Sequence, residues 1–372
     1  MQAYLKYDLQ SVPLDYAITG ADTLMRKFTP AKLPPAGHFH YHQGVFLTGV
    51  ERVYKLTGNT KYFDYIKAWA DLLIDENGVC ASSDSALLDD IQPGNILFNL
   101  YRETGDKRYK TLLDTLFRRV EMWPTNAKGG VWHMHFKKNQ MWLDTMYMMG
   151  VFTTKYAVEF NEPYMIEKVY TQAELMYKNM LNPDTGLLYH MWDDSKAHQA
   201  VDRETGLIKV HWGRAMSWFV VALAEIIELL PVKSEIRQRF VDIEIPLVNA
   251  VMKYQDTETG LWYQVIDKPK DKHNWTESSC SALFTYALAK CLRLGIIPNA
   301  YQSAVIRGYE GVINYKTELR EDDLIMKDIC IGTGVGNEDY YFDRPSSEND
   351  LHGMGAFLMM CTEMENIREV IK

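Results

Sequence analysis

The stretch DTGLLYHMW, residues 184–192, decides how this chain is read: a polar turn closes on glycine, and a short apolar, extended run follows it. Similar phrases stand elsewhere, as ENGVCAS (76–82), KGGVWHMHF (128–136), ETGLWYQVI (258–266) and the degenerate EDDLIMKDI (321–329). With Gly78, Gly130, Gly186, Gly260 and Leu324 as markers, the phrases recur at intervals of about 50 to 75 residues, the length of a helix pair with its loops. AGHFHYHQG (36–44) supplies a sixth opening phrase of different make-up. The longest interval holds a second turn, DRETGLIKVHW (202–212), so residues 194–211 are expected to be an insertion in one loop.

Between the phrases the period is helical. In KRYKTLLDTLFRRVEMW, Tyr109, Leu112, Leu113, Leu116, Phe117 and Val120 fall on one helix face. KYFDYIKAWADLLI repeats this with Tyr62, Phe63, Ile66, Trp69 and Leu73, while WFVVALAEIIELL (218–230) is apolar on nearly every side, as in a helix covered front and back. No set of alternating strands emerges. The expected class is all-α, an (α/α)6 barrel of six helical hairpins. An open solenoid is the competing arrangement; its ends would need polar caps, and the terminal segments here are as apolar as the middle.

Composition limits what such a ring would do. A chain of 372 residues, 47% hydrophobic, has ample core for one domain spanning residues 1–372, and no Pro/Gly/Ser-rich linker divides it. A net charge of -9 with interspersed signs argues against nucleic-acid binding. The five cysteines include no CxxC pair, which favours reduced thiols. No apolar run reaches the ~18 residues of a membrane span and no signal-like leader opens the chain, so a cytoplasmic protein is expected.

Equivalent loops in a ring converge on one mouth, and these are rich in rings: His38, His40, Tyr41, His42, Trp132, His133, His135, Tyr189, His190, Trp192, Trp262 and Tyr263. Aromatic rings stack on sugar faces and polar tips take hydroxyls; taken singly, each ring is as well explained by loop packing. Asp144, in NQMWLDTMYMMG between Trp142 and Tyr147, is a carboxyl in apolar company. Burial would raise its pKa and equip it as a general acid; a place at a helix N-terminus would lower it instead. SSDSALLDDIQPGN adds Asp84, Asp89 and Asp90, three acids where capping explains one. HWGRAMSWF sets Arg214 and Trp218 on one helix face, a carboxylate clamp beside a stacking ring or a packed cation-π pair. HFHYH and HMH give only a weak metal signal, and Gly332, Gly334 and Gly336 lack the βαβ setting of a nucleotide loop. No metal and no cofactor is expected.

Together, HYHQG, LDDIQPG, QMWLDTMYM, TGLLYHMWDD, HWGRAMSW, TGLWYQV, NWTESS and NDLHGMGAF resemble the unsaturated rhamnogalacturonyl hydrolases of glycoside hydrolase family 105, in consistent order from about Tyr41 to Phe357. The resemblance implies the six-hairpin barrel, a cytoplasmic bacterial enzyme of pectin breakdown and a small oligosaccharide substrate. It puts the catalytic acid on Asp144, the second acid on Asp89 rather than Asp90, and substrate contacts on His190, Arg214 and Trp218. Tyr41, His42, Trp142 and His133 are the further substrate-binding candidates of the mouth. Two competing functions stay open at this stage: an inverting glycosidase using Asp89 and Asp144 on saturated glycosides, and a non-catalytic carbohydrate-binding scaffold. The aglycone sugar and the oligomeric state are left open too.

Overall fold

The structure, a computed structural model, describes residues 12–369. The single-domain reading also takes in residues 1–11 and 370–372, which lie outside the described residues. Helices come in consecutive pairs: α1 (Pro13–Lys27) and α2 (Tyr41–Thr57), α3 (Thr60–Leu73) and α4 (Gly94–Thr104), α5 (Lys107–Glu121) and α6 (Val151–Phe160). There follow α7 (Pro163–Met180) and α8 (Gly213–Leu229), α9 (Glu235–Lys253) and α10 (Ser278–Arg293), then α11 (Gln302–Gly311), the short α12 (Glu338–Phe342) and α13 (Leu351–Glu369). The second helix of each pair contacts its counterparts in a closed cycle, α2 to α4, α6, α8, α10, α13 and back to α2. The first helices lie outside this cycle, each against its inner neighbours. An open solenoid is thereby excluded, because α13 lies along α2. Glycine makes that seam tight: a Cβ on Gly355 would stand 2.4 Å from the Val45 carbonyl, and one on Gly49 2.7 Å from Leu358 Cβ.

The sequence accounts for these elements locally. α5 buries the predicted stripe Tyr109, Leu112, Leu113, Leu116, Phe117 and Val120, and α8 is buried at every residue from Gly213 to Ile227, as an inner helix must be. The recurring phrases share one device. Asp75, Asn126, Asn182, Asp202 and Asp256 each accept, through the side-chain oxygen, a backbone N–H two residues on. Each also donates its own N–H to the carbonyl of the residue after the turn, at 2.8 or 2.9 Å. The chain then needs a left-handed residue, and Gly78, Gly186, Gly206 and Gly260 supply it. In KGGVWHMHF the left-handed residue is Gly129, not the expected marker Gly130.

The runs after these turns form more sheet than alternation predicts. β1 (Gln140–Trp142), β2 (Met191–Asp193) and β3 (Leu207–Ile208) make a three-stranded antiparallel sheet, with Met141 opposite Trp192 and Met191 opposite Ile208. β4 (Thr317–Arg320) pairs with β5 (Asp323–Met326), and β6 (Ile329–Cys330) with β7 (Ser346–Ser347). Strands of two to four residues are too short to show a period. The insertion at 194–211 thus contributes β3, while the pairing of β1 with β2 ties successive hairpins together at the mouth.

Candidate active site

The connections from outer to inner helices place the N-termini of the inner helices around one cavity of about 270 Å³. Asp89, from the turn before α4, and Asp144, from the turn before α6, both line it. So do Tyr41, His42, His133, Trp142, Arg214 and Trp218. Of the residues expected to act as catalytic acids or to bind substrate, only His190 does not line it. His40, one of the rings expected at the mouth, completes the wall with Met134, Met148, Trp212 and the segment Gly332–Gly334.

Asp144 is the best-held group. Its carboxylate stands 3.1 Å from His190 Nε2, and His190 Nδ1 meets the Tyr341 hydroxyl at 2.7 Å. His190 is fully buried with both ring nitrogens engaged. Expected as a substrate contact, it lies instead behind Asp144 and does not line the cavity. The Asp144 carbonyl accepts from the N–H groups of Tyr147 and Met148, where a π-helical turn, Met146–Gly150, leads into α6. A widened turn of this kind is often found at functional sites.

The expected rise in the Asp144 pKa is corrected as well. Burial lifts it, but the hydrogen bond with His190, the charges of His190 and His133, and the backbone N–H outweigh burial and hold the carboxyl below its usual value. Asp89 goes the other way. Burial pushes it up, His133 and His40 oppose this, and the nearby carboxylates of Asp144 and Asp90 add to the rise. The surroundings thus make Asp89 the weaker acid of the two and Asp144 the stronger.

Three acids of the LDD region separate cleanly. Asp90 is taken by His40 Nδ1 at 2.7 Å, Asp89 faces the cavity, and Asp84 lines a separate groove beside Arg118 and Arg119. None of them caps α4, whose N-cap is Pro93. His133 is fixed by Thr145 Oγ1 at 3.0 Å and points Nε2 toward Asp89 at 3.9 Å; Trp142 lies flat on its ring at 4.6 Å.

Arg214 enters the first turn of α8 and is buried. Two of its nitrogens donate to the carbonyls of Cys330 and Ile331, at 2.6 and 2.7 Å. Its guanidinium packs on Trp212 at 4.5 Å, while Trp218, the ring expected beside it, stacks on Tyr147 at 4.4 Å. Arg214 therefore anchors the 330–334 segment to the cavity rim, which gives the glycine run a role at the mouth. Other rings of the recurring phrases pack the loops: Trp262 is buried and donates to the Val251 carbonyl, and Tyr189 stacks on His211.

A ring of helices whose mouth sets two unlike carboxyl groups among aromatic rings defines a carbohydrate-active hydrolase. Residues 18–368 match the sequence profile of Glycosyl Hydrolase Family 88, and the chain belongs to that family. A family 105 glycoside hydrolase from C. acetobutylicum ATCC 824 is 34% identical, with a TM-score of 0.89 over 94% of this chain and 99% of that one. The unsaturated rhamnogalacturonyl hydrolase YesR of Bacillus subtilis (strain 168) is 27% identical over 66% of this chain and 68% of its own. The unsaturated glucuronyl hydrolase of Bacillus sp. GL1 shares the fold, with a TM-score of 0.72 at 11% identity and coverage of 94% of this chain and 95% of that one. The resemblance to family 105 read from the sequence is thereby shown, and the chain is a glycoside hydrolase. No helix among the described residues is long and apolar enough to cross a membrane.

Proposed function

We propose that this enzyme removes the terminal 4,5-unsaturated galacturonic acid from small oligosaccharides left by lyases acting on rhamnogalacturonan, by hydrating the vinyl ether rather than attacking the anomeric carbon. One observation carries the reading: two carboxyl groups on one aromatic-lined cavity have pKa values pushed in opposite directions. Two such groups can share one proton, which passes from one to the other when their surroundings change.

In the proposed reaction a proton is added to C4, positive charge develops at C5 and on the ring oxygen, and water adds at C5. The hemiketal opens, C1 becomes a hemiacetal, and the aglycone leaves as its alcohol. Asp144 delivers the proton and, as carboxylate, then takes one from the attacking water. Asp89, whose pKa is raised, holds the proton until substrate binds. Sugar hydroxyls donating to Asp89 favour its ionised form, and the substrate carboxylate adds like charge near Asp144, so binding moves the proton toward Asp144. Trp142, Trp212 and Trp218 supply ring surface, and the remaining N–H groups of Arg214 offer charge complementarity to the substrate carboxylate. Five free, buried cysteines accord with a cytoplasmic location.

The test is loss of the conjugated enoate absorbance. Unsaturated galacturonyl-rhamnose should lose it, a saturated galacturonide should not be cleaved, and an unsaturated glucuronyl disaccharide should turn over more slowly. Cleavage of the saturated compound would refute the hydration chemistry; faster turnover of the glucuronyl compound would refute the galacturonyl preference.

A further inference from the structure

Behind the cavity wall, where the ring closes, His42 in the first turn of α2 meets Asp350 and His352 at the start of α13. A ligand atom from each of the three lies within 4.8 Å of the others. The two imidazoles are stacked, with centroids 5.1 Å apart and planes at 23°. His352 is fully buried, and neither of its ring nitrogens has an aligned hydrogen-bond partner among the described residues, although Nδ1 comes within 2.7 Å of Asp350 Oδ1. His42 Nε2 is likewise buried and without a partner. Buried imidazole nitrogens normally find a partner, so three in one cluster require an explanation.

The Asp350 carboxylate has an oxygen for each ring, but neither imidazole is aligned to donate to it, whereas a cation takes a lone pair from each ring and one from the carboxylate. We propose that His42, Asp350 and His352 bind one divalent transition-metal ion, zinc being the best fit to two imidazoles and one carboxylate with a position left open. With bonds of about 2.0–2.1 Å, donors on a tetrahedral ion stand about 3.3 Å apart, so modest side-chain rotation closes the site. Two helix N-termini converge here and disfavour a lone cation; Asp350 supplies the compensating negative charge. The ion would staple the first inner helix to the last at the seam closed by Gly49 and Gly355, and would hold His42, which also lines the sugar cavity. It takes no part in the hydration chemistry.

The experiment uses the full chain, stripped with a chelator and titrated with Zn²⁺ alone by calorimetry, with Co²⁺ as a spectroscopic probe. One equivalent should bind, imidazole-ligated Co²⁺ should show visible d–d bands, and saturating Zn²⁺ should raise Tm by about 1 °C or more. His352→Gln and Asp350→Asn should each weaken Zn²⁺ binding at least about tenfold and remove the Co²⁺ bands, with far-ultraviolet circular dichroism confirming the fold. If one variant does not fold, the other carries the comparison. No stoichiometric binding by the stripped wild type, or the same binding in a folded variant, would overturn the assignment. Neither outcome depends on which sugar is cleaved.

Discussion

The two ends of the helical ring carry buried carboxylates in opposite ways. At the foot, near the C-termini of the inner helices, Glu225 on α8 meets Arg52 on α2 at 2.7 Å and Lys290 on α10 at 2.6 Å, and accepts from the Tyr286 hydroxyl. Arg293 joins Glu228 to Glu363 beside them. Burial lifts the Glu225 carboxyl, but the two cations and the hydrogen bonds drive it far down. It stays ionised and serves structure. At the mouth, Asp89 and Asp144 face imidazoles instead, and the lining guanidinium of Arg214 is committed to carbonyls. An imidazole changes charge near neutral pH and a guanidinium does not. Carboxylates partnered by histidine therefore keep a proton equilibrium that chemistry can use.

The largest effect should come from breaking the mouth. Asp144→Asn should lower kcat about 10²- to 10⁴-fold while thermal unfolding stays near that of the wild type, as enoate absorbance and calorimetry would show; near wild-type turnover would remove Asp144 from the chemistry. Breaking the foot should do the reverse. Glu225→Gln removes the carboxylate facing Arg52 and leaves Lys290 with Glu228 alone, and should cost about 3 kcal/mol in denaturant unfolding, with kcat of the folded enzyme little changed.

Protonation sharpens the same contrast. Because the Asp89 pKa is raised, the folded protein binds this proton more tightly than the unfolded chain. Asp89 should therefore lose the protein stability as pH rises from the usual aspartate value through its own, and kcat/KM should fall along that same limb; Asp89→Asn should abolish both dependences. Asp144 has the opposite sign: its contribution is present above the usual aspartate pKa and lost as pH falls through its lowered value. His190→Asn should raise the Asp144 pKa and move the acid limb of kcat/KM to higher pH. The smallest effect should be at a repeating turn, where Asp256→Ala loses the side-chain acceptor for the N–H groups of Glu258 and Thr259 and should cost about 1 kcal/mol with no change in the pH profile.

Much of the site was legible because its members sit beside turns with a recognisable form. Asp89, Asp144, Trp142, Arg214 and Trp218 each follow a phrase that marks the entry to an inner helix, and equivalent entries meet at one mouth. Trp212 and the Gly332–Gly334 rim were missed as site residues, and His40 was placed at the mouth without a role. Their signal was present in HWGRAMSW, HFHYH and IGTGVG, but nothing local separates a ring or glycine facing the cavity from one packing a loop. Tyr341 was beyond reach, since its hydroxyl matters only through His190, far away in the chain.

Helical period, the Asx–glycine turns and the spacing of the phrases are short-range properties, governed by side-chain direction along a helix and by turn sterics, and from them follow the all-α class and the hairpin order. Which carboxyl holds the proton is a long-range property. Asp144 lies among Met, Trp, Leu and Tyr in the chain, and that company alone argues for a raised pKa; folding brings His190 and His133 to it and reverses the sign. The same holds for Arg214, whose neighbour on the helix face is Trp218 but whose partners in space are Trp212 and two carbonyls of another hairpin. Charge state depends on distance, burial and partner identity, and those exist only once the ring has closed.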